Sequence, residues 1–112
     1  MPIDRKPFLI CAMLIAPLSA QAAAMPDWVA PPTWDCRTCH AIDSKLIGPS
    51  WNDVAQRYKD EPGAVEMLKG KIRDGGVGNW NDVTGGVPMP PHPRLTDEDL
   101  GKVVEFILSL AH

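Results

Sequence analysis

Cys36, Cys39 and His40, in the run Cys36-Arg37-Thr38-Cys39-His40, are the residues whose types and spacing dictate a specific chemistry. Two thiols three positions apart fit on one helical turn with both sulfurs facing the same way. Sulfurs so placed form thioethers to the two vinyl groups of one porphyrin, and the adjoining imidazole then ligates the iron. The run therefore reads as a c-type haem attachment site. Two other chemistries use similar residues. A redox-active dithiol needs a strand–helix context, and Ala30-Pro31-Pro32-Thr33-Trp34-Asp35 is not strand-like. A zinc site would add histidines to the thiols. Beyond His40 the chain has only His92 and His112, which lie 20 residues apart, not at the short spacing of a zinc finger. Zinc stays as the alternative.

A second candidate lies in the stretch from Gly75 to Leu95, which has five glycines, four prolines and no helix or strand pattern. A loop of that length inside a small domain implies a function for the loop. Met89 sits in it, within Val87-Pro88-Met89-Pro90-Pro91. The flanking proline rings fix the backbone and limit how the side chain packs. Presented to the open face of a haem, the thioether is a soft sixth ligand. The plainer reading is a methionine that only packs or faces solvent.

The elements that must position these groups follow from local signals. Pro26, Pro31 and Pro32 rule out a continuous helix over 25–33, and a short helix beginning near Pro32 is expected to carry the haem motif. Trp28 and Trp34 are expected to pack on the fold or at the haem edge. Ser50 with Asp53 resembles a capping box ahead of Val54, Ala55 and Tyr58. Pro62 opens a further helix whose stripe is Val65, Leu68 and Ile72, stopped by Gly75-Gly76. Thr96 caps the last helix. Asp97, Glu98 and Asp99 oppose its dipole, and Leu100, Val103, Val104, Ile107 and Leu108 form its apolar face.

Residues 1–24 have a basic start, an apolar run from Phe8 to Ala16 and a small-residue end, the anatomy of a secretory signal peptide. Ala20-Gln21-Ala22 and Ala22-Ala23-Ala24 both offer cleavage sites. The apolar run is about half of the roughly 20 residues a spanning helix needs, which argues against an uncleaved anchor. Cys11 follows Ile10 where a lipoprotein site expects a small residue. Removing 24 residues leaves 88, takes away Asp4, Arg5 and Lys6, and moves the net charge from −3 to about −4. Such a domain has no basic patch for nucleic acid and no pattern for a membrane surface. Cys11 goes with the leader, so no thiol remains for a structural disulfide. A domain this small needs a staple, and a covalent haem supplies one.

With Cys36-Arg37-Thr38-Cys39-His40-Ala41-Ile42-Asp43, Gly48-Pro49, Asn79-Trp80 and Val87-Pro88-Met89-Pro90-Pro91 in place, the chain resembles a class I cytochrome c. More narrowly, it is similar to the short bacterial monohaem type that carries electrons to periplasmic nitrite reductases and terminal oxidases. The resemblance covers about residues 34 to 110. It implies an all-α fold of three to four short helices around one covalently bound haem c. Together with the leader and the prolines, it divides the chain into a signal peptide at 1–24, a proline-rich segment at 25–33 and a cytochrome c domain at 34–112. It implies that the Pro49 carbonyl orients the ring of His40 and that the Trp80 indole donates to a haem propionate. The chain departs from the pattern twice. The proline-rich start replaces the usual first helix that crosses the last one. His92 stands where this type often has asparagine, as a replacement ligand, a titrating neighbour of the methionine or, the plainer reading, only a loop residue at the haem edge.

The function expected is periplasmic electron transfer by a monomer, with iron cycling between Fe(II) and Fe(III) under His40 and Met89 ligation. Its partners are redox proteins, a donor and an acceptor, with no stable membrane insertion after cleavage. A six-coordinate iron leaves no open position for substrate, and the chain holds no Ser/His/Asp set and no phosphate-cradling glycine loop. The competing classes are a haem enzyme or gas-binding protein with a displaceable sixth ligand, and a cytochrome subunit of a larger oxidoreductase.

Overall fold

The computed structural model describes residue 7 and residues 23–112. The expected leader, including Cys11 and the apolar run, lies outside the described residues apart from residues 7, 23 and 24. Five helices follow in order: α1 (Cys36–Cys39), α2 (Trp51–Tyr58), α3 (Ala64–Asp74), α4 (Asn81–Thr84) and α5 (Asp97–Ser109). Two of them, α1 and α4, are four residues long. Among the described residues there is no strand, only isolated antiparallel bridges between His40 and Lys45 and between Gly76 and Met89. The all-α expectation holds, with three longer helices and two single turns.

Helix α5 is the centre of the packing and lies against both α2 and α3. Its start carries a complete capping box: the Asp99 N–H donates to Thr96 Oγ1 at 3.1 Å and the Thr96 N–H to Asp99 Oδ2 at 3.3 Å. Leu100, Val103, Val104 and Ile107 are buried, while Leu108 is only partly so. Each fully buried branched side chain contributes about 1.5–3 kcal/mol, so this one face anchors the fold. At Ser50 only half of the expected box forms, the Asp53 N–H donating to Ser50 Oγ at 3.1 Å.

Three local expectations are corrected. The chain from Pro32 does not run as one helix into the motif. A 3₁₀ turn at Pro32–Trp34 ends at Asp35, whose φ of 58° is left-handed, and α1 starts afresh at Cys36. Val65 is not on the apolar stripe of α3. It is exposed, and the buried face is Ala64, Leu68, Lys69 and Ile72. Val65 stands in the first turn, at the very start of the helix, and Leu68 and Ile72 lie one and two turns further in. Pro62 stays outside the helix, and Gly63, with φ 75°, is its N-cap. Finally, the loop from Gly75 to Leu95 is not wholly irregular, since it contains α4.

The N-terminal segment solves the missing first helix with a turn. The N–H groups of Val29 and Ala30 both donate to the Pro26 carbonyl at 3.0 Å, and Met25, Val29 and Ala30 are buried. Trp28 sets its ring edge-on to Phe106 of α5, with centroids 5.9 Å apart. The contact with the last helix is kept without a helix to make it.

Candidate haem site

His40 follows α1 in extended conformation and is held by a short return of the chain. The Gly48 N–H donates to the Cys39 carbonyl at 2.8 Å, which brings Pro49 back to the imidazole. His40 Nδ1 lies 2.8 Å from the Pro49 carbonyl oxygen. A carbonyl only accepts, so Nδ1 carries the proton and Nε2 is left with a free lone pair. Burial pushes the imidazole pKa below its usual value, partly offset by the Pro49 bond and reinforced by His92. The ring is therefore neutral, the form in which histidine binds a metal. A Cβ on Gly48 would come within 2.6 Å of His40 Cε1, so glycine at 48 is a condition of this ring position.

Cys36 and Cys39 are free, half-buried thiols. Burial pushes the Cys36 thiol up, with its own backbone hydrogen bond pulling the other way. An active redox thiol is held low, so the dithiol reading loses its chemical basis as well as its strand. The zinc set is not assembled either: among the described residues no three His, Cys, Asp or Glu side chains gather into a metal-binding group.

Met89 comes from the loop that follows α3. It pairs with Gly76 in the antiparallel bridge, N–H to O distances being 2.8 and 3.0 Å. His92 fastens the far end of the same loop. Its N–H is shared between the Ile72 and Arg73 carbonyls at 3.0 and 3.1 Å, and its Nδ1–H donates to Ile72 at 3.3 Å. The open carbonyls at the end of α3 thereby gain donors.

These groups meet on one cavity of about 500 Å³, within the size range of small-molecule and cofactor sites. Cys36, Cys39, His40 and Pro49 line it from the motif side, and Met89, Trp80 and His92 from the loop side. Trp51, Val54, Leu68, Ile72, Val103 and Ile107 make its inner wall apolar. Two thiols, an imidazole with a free Nε2 and a thioether on an apolar wall fit an iron porphyrin attached through sulfur.

Two contributors carry no sequence signal of their own. Arg37, between the two cysteines, donates from Nε to the Ala30 carbonyl and from Nη2 to the Met25 carbonyl, both at 2.9 Å, and pairs with Asp27. It ties the attachment turn to the N-terminal segment. Arg57 lies over the Trp80 ring, 4.6 Å from its centroid, and donates to the Asn79 carbonyl. Tyr58 meets the same indole edge-on at 6.4 Å. Trp80 is thus clamped at the cavity rim by residues of α2. The basic residue at 57 sits on the exposed side of an otherwise ordinary amphipathic helix, which is why the pattern hides it.

The Cytochrome c family model matches residues 32–111. The chain is 36% identical over 99 residues to cytochrome c-551 of Allochromatium vinosum, covering 88% of this chain and 96% of that one. It is 42% identical over 77 residues to cytochrome c-551 of Azotobacter vinelandii, covering 69% and 88%. The crystal structure of Nitrosomonas europaea cytochrome c552 superposes with a TM-score of 0.64 at 35% identity, covering 70% of this chain and 93% of that one. The chain therefore belongs to the cytochrome c family, small electron carriers that hold one covalently attached haem c.

Proposed function

We propose that this protein is a periplasmic electron carrier in which Cys36 and Cys39 attach the haem, with His40 and Met89 as its two axial ligands. The observation that carries the reading is the meeting of all four side chains on one apolar cavity, three from a tight turn and its flank and one from a loop about 50 residues away. Bound there, haem iron supplies a one-electron Fe(II)/Fe(III) couple. The chain's residues set its character. The Pro49 carbonyl orients His40 and raises its basicity by accepting from Nδ1. A thioether from Met89 favours the ferrous state relative to a second histidine. The inner wall keeps water away from the site. Trp80, held at the cavity rim by Arg57, would donate its indole N–H to a haem propionate.

His92 is engaged with the end of α3 through both its N–H and its Nδ1, which supports a role in anchoring the loop while Met89 ligates. The leader anatomy of the first 24 residues supports export. No helix among the described residues is long and apolar enough to cross a membrane.

Two measurements test the reading. Acid–organic extraction leaves the colour on the polypeptide, and the oxidised protein shows the long-wavelength methionine–iron band. Met89→Ala abolishes that band and opens the iron to cyanide or carbon monoxide, whereas Met89→His keeps six-coordination at a lower potential. Haem that extracts freely overturns the attachment. A Met89→Ala spectrum identical to the parent's assigns the ligand to another residue, His92 first.

A further inference from the structure

The two Ala-x-Ala runs leave open which bond is cut when the leader is removed, and the fold distinguishes the products. The backbone nitrogen of Ala23 lies 2.8 Å from Asp43 Oδ2. Asp43 follows His40 by three residues, and its other oxygen accepts from Asn52 Nδ2 of α2 at 2.9 Å. The carboxylate is therefore held in place from the helix side. Further along, Arg37 takes the Met25 and Ala30 carbonyls and pairs with Asp27. Residues 23–30 are thus a strap, fastened at one end to the loop behind the histidine and at the other to the motif itself.

We propose that maturation cuts between Ala22 and Ala23, and that the new α-ammonium of Ala23 forms an ion pair with Asp43 that closes the strap. The inference rests on the export reading. A leader peptidase hydrolyses the Ala22–Ala23 C–N bond with one water. The water oxygen ends in the Ala22 carboxylate, and its two hydrogens join the amide hydrogen on the Ala23 nitrogen to give the ammonium. A neutral amide bond to Asp43 becomes a charge-assisted one at the same atoms.

A cut after Ala24 has the opposite electrostatics. It deletes Ala23, so Asp43 keeps only Asn52. It also places an ammonium on Met25, a buried residue whose own carbonyl already accepts from the Arg37 guanidinium. Asp27 is paired with that same guanidinium, so the new cation adds to a site that is already balanced. Ala20-Gln21-Ala22 satisfies the small-residue requirement as well as Ala22-Ala23-Ala24 does. Only the first yields a mature end that the fold receives.

The full chain, expressed with its leader in a bacterial host that exports and attaches haem, is purified as holoprotein and its intact mass measured. The mass of residues 23–112 plus haem is expected. A chain beginning at Met25 overturns this inference and leaves export standing, whereas a chain that retains its leader overturns export and the inference with it. A second arm reads the charge pair directly. The α-amine pKa, followed by NMR titration, is expected above the ordinary range of about 7.7–8.0, and Asp43→Asn returns it to that range. The same value in both proteins overturns the pair.

Discussion

Gly76 and Met89 exchange both of their backbone hydrogen bonds, at 3.0 and 2.8 Å, so the methionine loop is fastened to the end of α3 immediately where the thioether leaves the chain. One residue earlier, Gly75 has φ 69°, and a Cβ there would collide with the Met89 carbonyl and lie 2.8 Å from Pro91 N. The position of Met89 is thus set by backbone fit at residues that carry no side chain at all.

Gly75→Ala should therefore destabilise the protein by about 1–3 kcal/mol and weaken the methionine–iron band. Gly101→Ala is the control. It sits inside α5 with open space around its Cβ position, and alanine there should stabilise by about 0.5–1 kcal/mol. Thermal melts and the oxidised spectrum of both variants check this. A Gly75→Ala protein with parental melting and an unchanged band contradicts the fit.

On the other side of the cavity, Gly48→Ala places a methyl against the His40 ring and disturbs the Nδ1–Pro49 bond. Weakening that acceptor lowers the basicity of the ligand and its hold on ferric iron. The expected result is a higher reduction potential with a looser His40 coordination, read by voltammetry. A lower potential would show that the bond to Pro49 is not what tunes the ring.

Lys69 joins α3 to α5. Its stem is buried, yet its Nζ reaches Asp97 at 2.6 Å and Glu66 at 3.3 Å near the surface. The hydrogen bond from Lys69, more than its charge, holds the Asp97 carboxyl below the usual range. The Lys69 ammonium is held above its own by the bond to Asp97, against the opposing effect of burial. A depressed carboxyl pKa means that the folded state binds protons less readily than the unfolded one. Its stabilisation is complete above the ordinary value of about 3.9 and is lost as pH falls through the depressed folded value. Asp97→Asn should flatten the acid limb of the stability–pH curve and leave the spectrum intact. Parallel acid limbs in the two proteins would remove the pair from the account.

Around the mouth of the cavity, Ile47, Val77 and Val87 are 48%, 56% and 50% exposed, and Pro88 is exposed beside them. These residues should form the apolar contact through which electrons pass to a partner. The contact is expected to stay below roughly 1,200 Å² in total, as weak redox encounters do. Ile47→Lys and Val87→Lys should slow transfer to the physiological partner with little change in spectrum or potential. If both are silent while surface charge reversals elsewhere abolish transfer, docking is electrostatic.

What the sequence determined by itself was whatever is decided within a few residues. The Cys36–Cys39–His40 spacing, the proline frame of Met89, the cap at Thr96 and the apolar face of α5 are all local, since one helical turn or one pair of ring constraints specifies them. The family resemblance added Pro49 and Trp80 to that set. Tertiary structure decided the rest. Asp35 breaks the expected first helix in a left-handed conformation, and a turn at Pro26 stands in for the missing N-terminal helix. Arg37 reaches back to Met25, Arg57 reaches forward to Asn79, and His92 returns to the end of α3. Val65, in the first turn of α3, is left exposed while Leu68 and Ile72 further along are buried. A hydrogen bond or a steric fit between segments 10 to 22 residues apart depends on where the chain returns. That is set by the summed packing around α5 and the cavity, and no local pattern records it.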